Sequence, residues 1–253
     1  MQPVIPEWLD RTELLLGEES VLKLANSNVL VAGLGGVGSW AVEFIARSGV
    51  GNITIVDSDT IDKTNINRQL PATHKTVGMS KTTVMKERLL DINTELNLTV
   101  FDSYLNDETL HDVLKINYDV VVDAIDTLSP KFWFLYFCLQ RNLTVFSSMG
   151  SAGRLNPLKI EVADISKTYN CALARSLRKR LHRKNIYTGL TTVFSAEQVP
   201  NSVIREQEGR NKKTVLGTIS FVPAAFGCVL ASLTIRHLIK GIHRTEIENT
   251  DLL

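Results

Sequence analysis

Four glycines in six residues, Gly33-Leu-Gly35-Gly36-Val-Gly38, stand between a short β-rich run and a helical one, and nothing else narrows the fold as far. The run before them, residues 28–32, reads NVLVA; the segment after them, 37–47, places apolar residues at helical spacing. A G-x-G-x-x-G series at such a junction permits a tight turn at Gly33 and close approach of backbone to an anion at Gly35. At Gly38 it lets the helix pack on the strand. The helix start adds unpaired N–H groups and the positive end of a dipole, so Gly33, Gly35, Gly36 and Gly38 are candidate phosphate-binding residues.

Alternation continues beyond the loop. Residues 52–57 (NITIVD) form a second strand, and Ser80 can cap a helix in which Met85, Leu89 and Ile92 share one face. Residues 98–101 read as a strand. Residues 118–123 (YDVVVD) form a continuous apolar run of the kind buried on both faces of a sheet. A helix over 130–138 and a strand over 143–147 follow. Strands separated by helices predict an α/β, Rossmann-like, doubly wound and mostly parallel sheet. Past Gly150 the pattern changes to a strand at 159–164, a basic helix at 171–184, a polar tract at 196–213 that reads as a mobile loop, and an apolar segment at 219–239. The expected organisation is one domain over 1–253, with a nucleotide-binding core in 1–150. The rest, 151–253, is an extension carrying the basic helix and the apolar helix.

Composition sets outer bounds. With 44% hydrophobic residues, 22% charged residues and a net charge of +1 over 253 residues, no global field marks a nucleic-acid or membrane partner. Three scattered cysteines, Cys138, Cys171 and Cys228, form no C-x-x-C pair and argue against a disulfide framework or structural zinc. Together with an N-terminus that lacks the basic and apolar parts of a secretory signal, they point to the cytoplasm. The 219–239 segment could nearly span a bilayer. Pro223 and Gly227 interrupt it and Arg236 and His237 close it, so a buried helix, suited to a subunit interface, is the expected outcome; membrane association stays open.

Charge then gathers at the strand ends. Asp57 closes the second strand 24 residues after Gly33, where a carboxylate can accept hydrogen bonds from ribose hydroxyls. These features fit a nicotinamide dinucleotide as well as ATP. Asp57-Ser-Asp59 puts a second carboxylate beside the first. Arg68 lies in Thr64-Asn65-Ile66-Asn67-Arg68-Gln69, Lys81 heads the next helix in Val77-Gly78-Met79-Ser80-Lys81, and Asp126 ends Asp123-Ala-Ile-Asp126. Hydride transfer has no need of two cations and a further acid. Attack of a carboxylate on an α-phosphate does, because cations offset the growing negative charge and an acid can hold Mg²⁺.

The series GLGGVGS, DSDTID…TNINRQ, VGMSK and DAID resembles the ubiquitin-activating-type superfamily, which includes the enzymes that adenylate the C-terminal glycine of sulfur-carrier proteins. The resemblance implies ATP held by Gly35, Asp57, Asp59, Asn65, Arg68 and Lys81, with Mg²⁺ at Asp126. It also implies a homodimer in which Arg11 reaches the neighbouring subunit's ATP. Arg11-Thr…Leu-Gly17-Glu, Gly38-Ser39-Trp40, Ala46-Arg47-Ser48-Gly49-Val50-Gly51, Pro130-Lys131, Gly150-Ser-Ala-Gly153 and Val162-Ala-Asp164-Ile-Ser-Lys167-Thr168 are similar to the tRNA threonylcarbamoyladenosine dehydratases. In that group the threonine carboxylate of a modified adenosine next to the anticodon is activated by ATP and cyclised with loss of water. Protein-ligating relatives carry a catalytic cysteine, and many carry two C-x-x-C pairs, which this chain lacks. Some relatives have a cysteine tied to sulfur handling, which would bring in a sulfur-acceptor accessory protein. Cys171, on the basic helix, and Cys228, in the apolar segment, are expected instead to be packed and inert.

Arg175, Arg178, Lys179, Arg180, Arg183 and Lys184 concentrate positive charge in ten residues and form the candidate tRNA contact. Arg154 and Lys167 are expected to extend that surface towards the active site. His74, alone in a polar loop, reads as structural. Alternative readings are adenylation of a sulfur carrier's C-terminal glycine, an NAD-dependent oxidoreductase on the same glycine loop, and a scaffold that keeps only the fold.

Overall fold

A computed structural model describes residues 5–206 and 214–242. Two short helices, α1 (Asp10–Leu16) and α2 (Glu18–Ala25), lead into β1 (Asn28–Ala32), the glycine loop and α3 (Gly38–Arg47). Then follow β2 (Asn52–Asp57), α4 (Lys81–Ile92), β3 (Asn97–Asp102), α5 (Asp107–Val113), β4 (Val120–Asp123), α6 (Leu128–Gln140) and β5 (Val145–Ser148). The chain continues through β6 (Ile160–Asp164), α7 (Ala172–His182), β7 (Thr191–Ser195), β8 (Ile204–Glu206), β9 (Thr214–Leu216) and α8 (Phe221–Leu238).

Seven strands form one sheet in the order β3-β2-β1-β4-β5-β7-β6. All neighbours are parallel except β6, which runs antiparallel to β7 at the edge. The doubly wound sheet is therefore as expected. Alternate side chains along each strand face opposite layers. Val29, Val31, Ile53, Ile55, Val120 and Val122 pack with Ala41 of α3, Met85 and Leu89 of α4, and Phe226 and Leu230 of α8. Leu30, Ala32, Val56 and Val121 pack with Val113 of α5, Phe134 of α6 and Leu177 of α7. Both faces are covered, which is why the strands read as unbroken apolar runs. The sheet passes residue 150 without a break, because β7 enters between β5 and β6.

Three features depart from the sequence reading. The 196–213 tract is not loop throughout: β8 lies in it and pairs antiparallel with β9, while 207–213 fall outside the described residues. Pro223 sits in the first turn of α8, where its missing N–H has no helical partner to lose. Gly227 is the point where α8 crosses α3: a Cβ there would stand 2.7 Å from the Val37 oxygen and 2.9 Å from the Trp40 Cβ. What reads as an interruption is thus a close helix crossing. Although α8 is long and apolar enough to cross a membrane, Val222, Phe226, Leu230 and Leu238 are buried in the core, as a buried helix requires.

Candidate active site at the carboxyl edge of the sheet

Parallel pairing brings the carboxyl ends of β1, β2 and β4 level. Ala32 lies opposite both Val56 and Asp123, so Gly33, Asp57 and Asp123 emerge along one edge. Gly33 has φ of 91°, and a Cβ there would come within 2.9 Å of the Ala124 oxygen. At Gly38 a Cβ would lie 1.8 Å from the Gly33 oxygen, which is an outright clash. Gly35 is different: the nearest heavy atom to a Cβ there is Gln69 Nε2 at 3.9 Å, so this part of the loop stays open. No side chain caps the start of α3. Over Gly36 lie the Arg68 stem, its Cγ 3.3 Å from an added Cβ, and Pro223.

Next to the loop stands a cluster of Asp57, Asp59 and Lys81. A short backbone ladder carries Lys81 there: Gly78 N–H donates to the Ile61 oxygen, Ile61 N–H to the Met79 oxygen, and Lys81 N–H to the Asp59 oxygen. Ser80 caps α4 as its sequence predicts. Lys81 Nζ lies 2.7 Å from Asp59 Oδ2 and 3.9 Å from Asp57 Oδ1. The Lys81 side chain is only 4% exposed, whereas Asp59 is 67% exposed. Asp57 is turned inward and accepts from Leu34 N–H (2.6 Å) and Asp59 N–H (2.8 Å), tying the glycine loop to the end of β2. Burial raises the Asp57 pKa, against the pull of Lys81 and these two N–H groups, and the Asp59 charge adds to the rise. Asp59, rather than Asp57, is the carboxylate that faces solvent.

Arg68 and Asp126 complete the edge. Arg68 is half-buried and donates to the Thr64 oxygen and Asn67 Oδ1, both at 2.9 Å. Burial lowers its pKa, and the charge of Asp126 opposes that fall, so the two residues sense each other. Asp126 is exposed and accepts from Thr127 Oγ1 at 3.2 Å. Asn65 is used locally: its Oδ1 accepts from Asp62 N–H at 3.0 Å, while Asp62 accepts from Thr64 N–H at 2.7 Å, a reciprocal cap that sets the Arg68 loop.

Two residues at this edge were not singled out from the sequence. Gln69 is 8% exposed, and its Oε1 has no hydrogen-bond partner among the described residues. Its place beside Arg68 in the loop is the only signal that could have marked it. Asp123 is fully buried and accepts from Lys131 Nζ and Ser147 Oγ, both at 2.6 Å.

Arg11 is exposed on α1, and no ion pair joins it to this cluster among the described residues. α1 buries none of its own residues, leaving Leu14 and Leu15 74% and 59% exposed.

The basic helix divides into two sets. Arg178 turns inward to the Thr168 oxygen (2.8 Å), the Thr168 hydroxyl and the Ile165 oxygen (3.3 Å). Arg180 donates to Ser129 Oγ at 2.9 Å and lies over the Phe132 ring. Lys184 lies over Trp133 and Tyr136. Arg178 and Arg180 hold α7 on its neighbours, while Lys184, just past its end, is exposed as well as in contact with the α6 rings. Arg175, Lys179 and Arg183 recur every fourth residue, the spacing of one helix face, and are exposed. Arg154 corrects the expected extension of this surface: it is 6% exposed and donates to the oxygens of Gly150, Ala152 and Asn170. Cys171 is buried at the start of α7, but Cys228 is exposed rather than packed.

A parallel α/β sheet with an open glycine loop, and a buried lysine held between carboxylates beside it, defines a nucleotide-binding protein of the adenylating class. The ThiF family model matches residues 9–252, and the chain belongs to that family. It is 37% identical over 247 residues to the tRNA threonylcarbamoyladenosine dehydratase of Bacillus subtilis, covering 94% of this chain and 97% of the relative. The Escherichia coli protein of the same name is 34% identical, covering 94% of this chain and 96% of the relative. Among solved structures, the E. coli tRNA N6-threonylcarbamoyladenosine dehydratase in complex with AMP superposes with a TM-score of 0.84 at 32% identity, covering 96% of this chain and all of the other. Its complex with ATP gives 0.83 at 33% identity, covering 94% of this chain and 97% of that one.

Proposed function

We propose that this chain is an ATP-dependent tRNA threonylcarbamoyladenosine dehydratase that acts in the cytoplasm by adenylating the threonine carboxylate. The observation that carries the reading is Lys81. An ammonium group has three N–H donors, and among the described residues it gives one hydrogen bond, to Asp59, beside an uncapped helix start. Two donors are left for an anion in a site that excludes most water.

The chemistry balances without an enzymic nucleophile. A carboxylate oxygen attacks the α-phosphorus of ATP and pyrophosphate leaves, giving an acyl adenylate. The ureido nitrogen or oxygen of the same modified base then attacks the acyl carbon, the ureido group gives up its N–H proton to solvent, and AMP leaves, carrying off the carboxylate oxygen. Net water loss from the nucleoside follows, and proximity within one molecule makes the second step fast.

In this reading Gly33, Gly35, Gly36 and Gly38 shape the phosphate loop and Asp59 meets the ribose. Asp57 and Asn65 position the loops that bind the nucleotide, and Lys81 and Arg68 oppose charge building on the phosphates. Asp126 fits Mg²⁺, which commonly takes one or two protein carboxylates plus phosphate oxygens and water; when bound, the ion would neutralise phosphate charge. Arg11 would act in a homodimer, where exposed Leu14 and Leu15 would find cover. Residues 1–150 hold the nucleotide, and 151–253 serve tRNA binding, through Arg175, Lys179 and Arg183, and dimerisation. A sulfur-acceptor partner is not part of this reading. The test is mass spectrometry of nucleosides from threonylcarbamoyl-modified tRNA incubated with protein, Mg²⁺ and ATP. An ATP-dependent loss of one water is the expected result. An unchanged nucleoside with intact ATP and tRNA would move the substrate to a protein C-terminus.

A further inference from the structure

α6 is apolar all round, yet only part of it is covered. Phe132, Phe134, Leu135 and Cys138 face the core, while Trp133 and Phe137 are 41% and 36% exposed with Tyr136 half-buried between them. The three rings touch one another: Trp133 stacks on Phe137 with centroids 6.1 Å apart, and Tyr136 meets them edge-on at 5.9 Å and 5.4 Å. A contiguous aromatic surface of this kind on a soluble fold marks a contact site.

Its surroundings select the partner. Lys184 Nζ stands 5.6 Å from the Trp133 ring and 5.5 Å from the Tyr136 ring, and exposed Arg183 adjoins it in sequence. Neither α6 nor α7 contains an Asp or Glu, so the two helices together carry charge of one sign. A second copy docking this face on itself would set cations against cations. A polyanion with exposed rings suits it: phosphates meet the cations, and bases stack on the aromatics. The strip lies on the helix that starts beside the catalytic edge. A cleft of about 470 Å³, lined by Tyr104, Asn106, Glu108, Ser129, Pro130 and Trp133, opens at its base. α6 begins two residues after Asp126, and Trp133 lies roughly 7 Å further along the helix axis.

We infer that Trp133, Tyr136 and Phe137 form a stacking platform for unpaired bases of the RNA substrate, flanked by Arg183 and Lys184 just past the end of α7. The inference rests on the tRNA reading above and adds the surface that receives the anticodon loop. The test is fluorescence anisotropy of a labelled anticodon stem-loop RNA with full-length wild type, Trp133→Ala, Phe137→Ala and Trp133→Phe at fixed salt. ATP affinity and sedimentation velocity are measured on the same samples. Each alanine variant should weaken RNA binding about 10-fold and Trp133→Phe should retain most of it, with ATP affinity and sedimentation unchanged. Unaltered RNA affinity in both alanine variants would overturn the platform and leave the tRNA reading standing. A changed sedimentation coefficient with unaltered RNA affinity would make the strip a protein interface. Failure of wild type to bind the stem-loop would remove the platform and the tRNA reading together.

Discussion

Lys131 reaches Asp123 at 2.6 Å with both side chains fully buried, whereas Lys81 reaches Asp59 at 2.7 Å with the carboxylate 67% exposed. Both pairs stand at the carboxyl ends of parallel strands, and by distance they are the same interaction. Their remaining valences differ. Lys131 also donates to the Ile125 oxygen at 3.0 Å, and Asp123 takes Ser147 Oγ and Ile125 N–H as well, so the pair is enclosed by protein groups and Lys131 spends two of its three donors there. Lys81 keeps donors unspent beside an open glycine loop. An enclosed, fully buried pair fixes structure, while one with an exposed carboxylate and more unspent donors is poised for an anion; burial and leftover hydrogen-bonding capacity decide, not length.

Loss of the enclosed Lys131 should have the greatest consequence for folding. Lys131→Met leaves Asp123 buried and unpaired, which should cost about 3–5 kcal/mol of stability, read as a lower urea midpoint. An unshifted midpoint would show that the pair is not sealed. Lys81→Met should instead keep most of its stability and lose about 10²–10³-fold in kcat/KM for dehydration. If stability collapses while the residual activity per folded molecule is normal, the two lysines have the same job.

At the substrate end, Arg175→Glu with Lys179→Glu should weaken tRNA binding about 10-fold at moderate salt and leave ATP affinity alone. Arg178→Glu should chiefly lower Tm, because that guanidinium holds the 165–168 turn. Equal effects of the two on RNA binding would erase the division of α7 into anchoring and exposed cations.

The smallest effect concerns pH. The folded pKa of Asp57 is raised, so the folded state binds its proton more tightly than the unfolded chain does. Its contribution to stability is present in acid and is lost as pH rises through the folded value. Asp164 is the counter-case. Burial raises its pKa, but the Ser166 hydroxyl and the N–H groups of Ser166, Gly189 and Leu190 together outweigh that and hold it low, so its stabilisation is lost as pH falls. Asp57→Asn should therefore match or exceed wild type in stability at neutral pH and lose that margin in acid. Asp164→Asn should be less stable at neutral pH and converge with wild type in acid. Chemical denaturation across the carboxylate range reads both, and the same pH trend in both variants would reject the assignment.

Much of this was legible in the chain. The glycine series marks β1, its turn and α3 because each glycine is demanded by local backbone, and a residue with a Cβ at Gly33 or Gly38 would collide. The buried strands showed themselves through unbroken apolar runs. What stayed hidden depends on the third dimension. The VGMSK run marks Lys81 as a site residue, but nothing in the chain shows that Lys131 is enclosed with Asp123 while Lys81 pairs with an exposed carboxylate. Nor does a run of basic residues reveal that Arg178 turns inward to a carbonyl. Gly227 could not be read as a crossing without α3 beside it. β7 was missed although its β-branched TTVFS was a usable signal, because the tract after it reads as loop. The role of Arg11 comes by resemblance alone, whereas a further acid at the strand ends already suggests Mg²⁺.

Adenylation of the threonine carboxylate is the central step. Threonylcarbamoyl-modified tRNA labelled with oxygen-18 in the threonine carboxylate, turned over with ATP and Mg²⁺, tests it by mass spectrometry of the released nucleotide. Adenylation predicts AMP carrying one labelled oxygen for each dehydrated nucleoside. Unlabelled AMP, or label appearing in inorganic phosphate with ADP, would contradict it.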